Sequence, residues 1–392
     1  MAVHHHADHD TGTREGGSGD PGIARTEGAH RVEDVGDAAD PEVEGVVGLL
    51  RRRIRVARGD RDAALAQPPD ERARAAARLF KRRDIRYLLI ASRGSSSNVA
   101  RYAQYLLGRA HRVPVMFATP SVYTIYGQPP RLDGGLAIGI SQSGASPDVV
   151  AVLAEAREQG RPTLALTNDV ESPLARTAEA VLPLEAGREQ AVAATKTYIN
   201  SLGAVALLFA ELGNDATARE ELARIPEALA AQIDLSLDDK PPLEEYRDAV
   251  RLTVVARGVN YGTGFEIALK IRELSGLVTE AYSPADLMHG PIAAMQPGWP
   301  VVVVAPSGPA RPSVEEIVSP LRARGARLVA VSDVRAVLRR AQTKLVLAPG
   351  VPEWLSPLTA VVPGQVTAMR LTSLRGLDLD SPVGLRKVTL TR

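Results

Sequence analysis

The sequence predicts an α/β protein in which two tandem, doubly wound parallel-sheet domains, related by internal duplication, follow a disordered N-terminal tail. Three observations predict it. Short apolar runs such as Tyr87–Ala91 (YLLIA) and Gly135–Ile140 (GLAIGI) read as buried strands of a sheet covered on both faces. Such runs end in small polar turns that feed a helix and then another strand, the rhythm of a parallel sheet. The chain also repeats itself. A shift of 164 residues lays Gly94 on Gly258, Ser143-Gly144 on Ser307-Gly308, and Val181–Leu184 on Leu345–Ala348. REQGRPTLALTND (157–169) parallels RARGARLVAVSD (322–333) with a one-residue slip. One offset across three strand–turn points indicates a duplicated domain.

Residues 1–40 are rich in Gly, Asp, Glu and His and poor in aliphatics, so they cannot bury enough apolar surface to order themselves. His4, His5, His6 and His9 with Asp8 could catch a metal, but the composition favours a disordered tail. Residues 41–84 read as a helical lead-in with many arginines (Arg51–Arg53, Arg55, Arg58) and no helix-turn-helix turn. The first domain is expected at 85–212. In it, the turn Ser92–Ser97 feeds a helix over Asn98–Arg109, and Gly135–Ile140 runs into Ser141–Ser146. Pro147 then sits just inside a helix, Asp148–Gln159, that stops at Gly160 before the strand Pro162–Thr167. Residues 213–242 form a charged joint ending in DDKPP. The second domain is expected at 243–379, and a tail, 380–392, has no counterpart in the first copy.

Composition bounds the function. The formal net charge of +1 gives no field that calls for nucleic acid or an anionic membrane. The absence of cysteine rules out disulfides, thiolate metal sites and a cysteine nucleophile. No apolar run approaches the roughly 20 residues of a membrane span, and no signal peptide opens the chain. The expectation is a cytoplasmic protein acting on a small molecule.

Chemistry concentrates in Arg257–Pro291. The segment Thr263–Gly276 reads as a helix with Thr263 as a plausible cap. Glu266, Lys270 and Glu273 fall at i, i+4 and i+7 on one face, with Phe265, Leu269 and Arg272 on another, so the charged stripe can look into a cleft. The alternative is a solvated stripe laced by i,i+4 pairs. In the first copy the strand-end turns are hydroxyl-rich: Ser92, Ser95, Ser96 and Ser97, then Ser141, Ser143 and Ser146. Backbone N–H groups and a positive dipole end at such turns suit a phosphate, and ligands bind at this carboxyl edge of doubly wound sheets. One such turn could be a helix cap; two on neighbouring strands favour a phosphate cradle. The equivalent second-copy turns, RGVNYG and PSGPARP, carry fewer hydroxyls.

Glu266-x-x-x-Lys270-x-x-Glu273, Glu280-Ala281-Tyr282 and His289-Gly290-Pro291 together resemble the sugar isomerase (SIS) domain family, as found in the isomerase half of glucosamine-6-phosphate synthase and in SIS-type glucosamine-6-phosphate deaminases. The resemblance covers about Ile85–Arg392 and implies flavodoxin-like domains. SQSGAS is similar to the family's SQSGET-type phosphate turn, with Ala145 where the synthases carry Glu, and RGSSS is similar to their GTS turn. By position, Ser96, Ser141, Gln142, Ser143 and Ser146 would hold the sugar phosphate, with Ser95 close by. Val192–Lys196 resembles the VAST(K) segment that lines the sugar, although Thr195 and Lys196 could equally be plain helix structure.

For the reacting end, the resemblance implies Glu273 as the base that moves a proton between C1 and C2, with Lys270 one turn away and Glu266 on the substrate side. Ring opening needs a group that titrates near neutrality. Of seven histidines, five lie in the first 30 residues and His111 is expected in the loop after a helix, which leaves His289. In the family this histidine is contributed across a dimer interface, so a homodimer is implied. Gly384–Thr389 (GLRKVT) resembles the family's C-terminal L-x-K-x-V-T signature, which makes Lys387 the Schiff-base lysine. No metal or other cofactor is expected.

With no cysteine and about 84 residues ahead of the first strand, no glutaminase domain is expected. The leading expectation is deamination of glucosamine 6-phosphate to fructose 6-phosphate and ammonia. Alternatives are galactosamine-6-phosphate deamination, fructosamine-phosphate deglycation, ammonia-dependent synthesis in reverse, a phosphosugar isomerase without nitrogen chemistry, and a non-catalytic sugar-phosphate sensor.

Overall fold

All ten strands fall into five pairs that overlap under the 164-residue shift, and the two sheets they build share one strand order. The computed structural model describes residues 71–82, 84–382 and 384. The tail expected at 1–40, most of the lead-in and Lys387 lie outside the described residues.

Helix α1 (Glu71–Phe80) precedes the first sheet. That sheet is built from β1 (Tyr87–Ser92), β2 (Val115–Phe117), β3 (Gly135–Ile140), β4 (Thr163–Thr167) and β5 (Ala180–Pro183). All its pairings are parallel, in the order β2-β1-β3-β4-β5. Helices α2 (Gly94–His111), α3 (Pro147–Glu158) and α4 (Lys196–Gly213) belong to this copy. The joint is itself helical: α5 (Ala216–Ala223) and α6 (Ile225–Asp238) carry the chain across. The second sheet is built from β6 (Arg251–Val255), β7 (Val278–Tyr282), β8 (Pro300–Val304), β9 (Arg327–Ser332) and β10 (Thr343–Val346), in the order β7-β6-β8-β9-β10. Its long helices are α7 (Tyr261–Ser275), α8 (Arg311–Ala323) and α9 (Ser356–Leu374). Both orders are the 2-1-3-4-5 pattern of flavodoxin-like doubly wound sheets.

The repeat extends to backbone conformation. Gly94 and Gly258 both take positive φ (53° and 62°) where a strand gives way to a helix. Gly134 and Gly298 do the same ahead of β3 and β8 (77° and 84°). Left-handed backbone at these points costs a side-chained residue free energy that glycine escapes.

One continuous apolar core fills the space between the sheets. It takes the inner faces of both, through residues such as Leu88, Ile138, Val254 and Val302, and the helices α2, α4, α7 and α9 between them. Smaller clusters cover the outer faces, with α3 against the first sheet and α8 against the second. Helices α2 and α7 occupy equivalent places in the repeat and meet each other directly. A Cβ on Gly262 would stand 2.3 Å from the Asn98 carbonyl oxygen, and 262 is the repeat partner of 98. The absent side chain lets the two helices approach closely enough for their polar groups to bond.

Three local expectations change. The helix expected from Asn98 begins at Gly94, so Ser95, Ser96 and Ser97 form its first turn rather than a loop before it. His111 is the last residue of that helix, edge-on to Phe80 with ring centroids 5.8 Å apart. Thr263 caps nothing: a 3₁₀ turn over Gly258–Asn260 runs straight into α7 at Tyr261, and Thr263 is fully buried inside the helix.

Candidate functional site

The acid–lysine–acid stripe on α7 faces the first copy. The expected assignment of faces is reversed: Glu266 and Lys270 are among the most buried polar residues, while Phe265 and Leu269 are half-buried and Arg272 is exposed. Charged groups can be buried here because each finds partners. Glu266 Oε1 accepts from Ser95 Oγ at 3.0 Å and Oε2 from Asn98 Nδ2 at 2.8 Å, both on α2 of the other copy. Lys270 Nζ lies 3.6 Å from Glu266 Oε1 and donates to Glu273 Oε2 at 2.5 Å. A continuous polar chain, Ser95–Glu266–Lys270–Glu273, therefore crosses from the first copy's serine turn into the second copy.

The electrostatics follow from burial. Desolvation pushes the Glu266 carboxyl above its ordinary pKa, against the opposing pull of Lys270, Asn98 and Ser95. Burial alone would lower Lys270, but the carboxylates of Glu266 and Glu273 outweigh it and hold the ammonium above its ordinary value. Lys270 is thus a fixed cation shared by two carboxylates. Of the two, Glu273 is the one with solvent access, its side chain about a quarter exposed (23%) against none for Glu266. An outward carboxylate with a cation on one oxygen can take up and return a proton.

The serine turns sit where neighbouring strands end. β1 and β3 pair in register up to Ser92 against Ile140, so the residues that follow each strand lie side by side at one sheet edge. In the second turn the Gly144 N–H donates to Ser141 Oγ at 3.2 Å and the Ala145 N–H to Ser143 Oγ at 3.3 Å. Gly144 has φ +60°, and a Cβ there would lie 2.0 Å from Ser172 Oγ, so glycine is required. The carbonyl of Gln142 accepts from the Asn168 N–H, which ties the turn to the end of β4. Ser146 is the N-cap of α3, yet its hydroxyl makes no capping bond there. Ser96 is half-buried on the first turn of α2. Ser95 is drawn away to Glu266, so its part is to join the turn to the charged chain.

Val192 is half-buried in a loop shaped by a residue that the sequence reading missed. The buried Glu189 carboxylate accepts from the Thr195 and Thr197 N–H groups and from Thr197 Oγ1, through one oxygen, at 3.0–3.2 Å. It caps α4 from upstream and closes the loop that carries Val192. Asn98 was missed as well. Its Oδ1 accepts from Arg101 at 3.1 Å, which turns its amide nitrogen toward Glu266. The sequence did hold a signal for it, since Asn98 lies one helical turn after Ser95. Glu189 had none, because its partners are two backbone amides and one threonine hydroxyl, none of which marks a pairing in the sequence.

His289 is exposed at the end of the short helix Pro284–Met288 that follows β7. Among the described residues, no bond joins it to Glu273 or Lys270. No helix among the described residues is long and apolar enough to cross a membrane.

Comparison with known proteins gives these features a lineage. The SIS domain family matches residues 78–211 and 245–374, one match per copy. A glutamine–fructose-6-phosphate aminotransferase (isomerizing) from Zymomonas mobilis is 31% identical over 79% of this chain and 52% of its own length. The chain thus spans about half the length of the curated relatives it matches. A solved structure from Silicibacter pomeroyi, provisionally named a phosphosugar isomerase, shares 31% identity with a TM-score of 0.71, covering 84% of this chain and 99% of that one. Glucosamine-6-phosphate deaminase from Thermotoga maritima aligns with a TM-score of 0.65 over 82% of this chain and 98% of that one; at 22% identity it shares the fold.

Proposed function

The chain belongs to the SIS domain family, and from that premise we propose that it is an aldose–ketose isomerase acting on an amino-sugar phosphate, with glucosamine 6-phosphate converted to fructose 6-phosphate and ammonia. The observation that carries this reading is the polar chain from Ser95 through the buried Glu266 and Lys270 to Glu273. It couples a hydroxyl-rich turn suited to phosphate with a carboxylate suited to proton transfer, on equivalent helices of the two copies.

In this reading Ser96, Ser141, Gln142, Ser143 and Ser146 hold the phosphate at the N-termini of α2 and α3, and Val192 lines the sugar. His289, given by a second subunit of a homodimer, opens the ring. Glu273 removes the C2 proton of the open 2-amino aldose and returns a proton to C1, while a proton passes from nitrogen to O1. The product is a 2-imino ketose. Lys387 displaces ammonia from C2 as an imine, and water then frees the ketose and the lysine. In this reading the Lys270 cation, bonded to one oxygen of Glu273, stabilises the negative charge that develops on the enolic intermediate. The 392 residues hold no cysteine, so no thiolate for glutamine hydrolysis comes from them.

A second reading, phosphosugar isomerisation without nitrogen chemistry, draws on the name of the 31%-identical neighbour. The test is ammonia and ketose measured together on a panel of hexosamine 6-phosphates, fructosamine 6-phosphates and simple aldose 6-phosphates. The proposal expects ammonia and fructose 6-phosphate in equal amounts from glucosamine 6-phosphate. Turnover of aldose phosphates alone would establish the second reading. Binding without turnover of any of them would make the protein a sensor.

A further inference from the structure

We propose that Arg93 is an anion ligand of the first-copy cradle: a guanidinium that donates to the substrate phosphate while Asp148 holds it in place. The inference rests on the phosphate reading of the serine turns given above.

Arg93 follows β1 and precedes Gly94, at the sheet edge where both turns begin. Its Nε donates to Asp148 Oδ2 at 2.6 Å, and its Nη2 lies 2.6 Å from the same oxygen. Asp148 is the second residue of α3, after the N-cap Ser146 and Pro147. The pair therefore pins a cation beside the helix end that would receive the phosphate, and straps the first turn to the second.

Two features mark this pair as more than a strap. Asp148 is a carboxylate in the first turn of a helix otherwise fit for an anion, where its charge would repel a phosphate dianion unless neutralised on the spot. Its side chain is almost wholly buried (2% exposed), whereas that of Arg93 is half open to solvent (48%). Among the described residues no acceptor takes the Nη1 donors of Arg93. A guanidinium is a rigid planar fork, so fixing Nε and Nη2 also fixes where Nη1 points. The second copy provides the contrast. Arg257 stands at the position of Arg93, but Pro312 replaces Asp148, and no ion pair forms between them. The copy with the hydroxyl-rich turns is the one that has the held guanidinium.

The experiment measures binding of inorganic phosphate and of fructose 6-phosphate by titration calorimetry for the parent, Arg93→Gln, the double variant Arg93→Gln with Asp148→Asn, and Ser143→Ala. Charge-assisted bonds of this kind contribute about 1.5–3 kcal/mol, so the single Arg93 variant should bind both ligands about tenfold or more weakly. The double variant removes the buried charge that the single one leaves unpaired, which keeps a folded protein in the test, and it should remain as weak. Parental affinity in the double variant would overturn the proposal, because Arg93 would then only neutralise Asp148. If Arg93→Gln binds as the parent while Ser143→Ala is weak, Arg93 is no ligand, although the cradle stands. If every variant, Ser143→Ala included, binds as the parent, the phosphate reading itself falls and the proposal with it.

Discussion

After β3 the first copy runs Ser141–Ser146; after β8 the second copy runs Ala305–Ala310 at the matching positions. In the first turn, the side chains that the backbone N–H groups meet are the turn's own serine hydroxyls, on Ser141 and Ser143. In the second, the chain has supplied its own anions. Asp333 Oδ1 accepts from the Ser307 N–H at 2.7 Å, and Glu353 Oε1 accepts from the Ala310 N–H at 2.9 Å. Gly308 is packed so tightly on Glu353 that a Cβ there would come within 2.6 Å of its side chain. A strand-to-helix turn offers donors that must be satisfied; one copy satisfies them with carboxylates of its own, and the other keeps serines. The helices differ in the opposite sense. Glu266, Lys270 and Glu273 on α7 correspond to Tyr102, Leu106 and Arg109 on α2, where Tyr102 and Leu106 are ordinary core. Duplication gave two equivalent frames, and in this account the first specialises in binding and the second in proton transfer.

The largest expected effect separates the two helices by the physics of one matched position. Lys270→Met leaves two carboxylates without their shared cation and should cost about 3–5 kcal/mol in urea unfolding at neutral pH. Leu106→Ala should cost about 2–5 kcal/mol through its cavity. Similar totals would hide different causes, and pH distinguishes them. The Lys270→Met penalty should shrink as acid protonates Glu266, while the Leu106→Ala penalty should stay flat.

Next in size, Ser96→Ala combined with Ser143→Ala should raise KM for phosphorylated substrate tenfold or more, since each lost bond to a charged group is worth about 1.5–3 kcal/mol. Stability should change by less than about 1 kcal/mol, because these half-buried hydroxyls carry little of the fold. An unchanged KM would erase the difference between the turns.

The two sheets, their equivalence and the chemistry-bearing stripe were legible in the sequence because strand runs, glycines recurring at the 164-residue offset and 3.6-residue spacing are written in residue order. What escaped was direction. Periodicity showed that Glu266, Lys270 and Glu273 share a face, but burial of that face depends on α2 lying against it, and this close approach depends on Gly262, whose role is only visible in three dimensions. Ser95–Ser97 have the composition of a turn, yet the chain turns at Gly94 and the serines begin the helix. The strap from Arg93 to Asp148 joins residues 55 apart and left no local trace.

A third prediction concerns the buried carboxyl. Glu266 binds its proton more tightly in the folded protein than in the unfolded one, so its contribution to stability is fully present below the ordinary 4.5 and is lost as pH rises through its raised folded value. Glu266→Gln has no such loss. Thermal melts should therefore show the glutamine variant gaining on the parent as pH rises through that window. A constant difference would mean that burial does not perturb this carboxyl.

The smallest effect belongs to the second copy's plugged turn. Asp333→Ala should cost about 1 kcal/mol for one bond lost at an exposed turn and leave KM at the parental value. A changed KM would place substrate at the second copy's turn and undo the division between copies.

Proton transfer by Glu273 is the centre of the account, and hydrogen exchange reads it directly. Fructose 6-phosphate incubated with the protein in D₂O should exchange a C1 hydrogen for deuterium, followed by proton NMR. Glu273→Gln should abolish the exchange while binding fructose 6-phosphate with parental affinity. Exchange at the parental rate in that variant, or binding without exchange in the parent, would contradict the account.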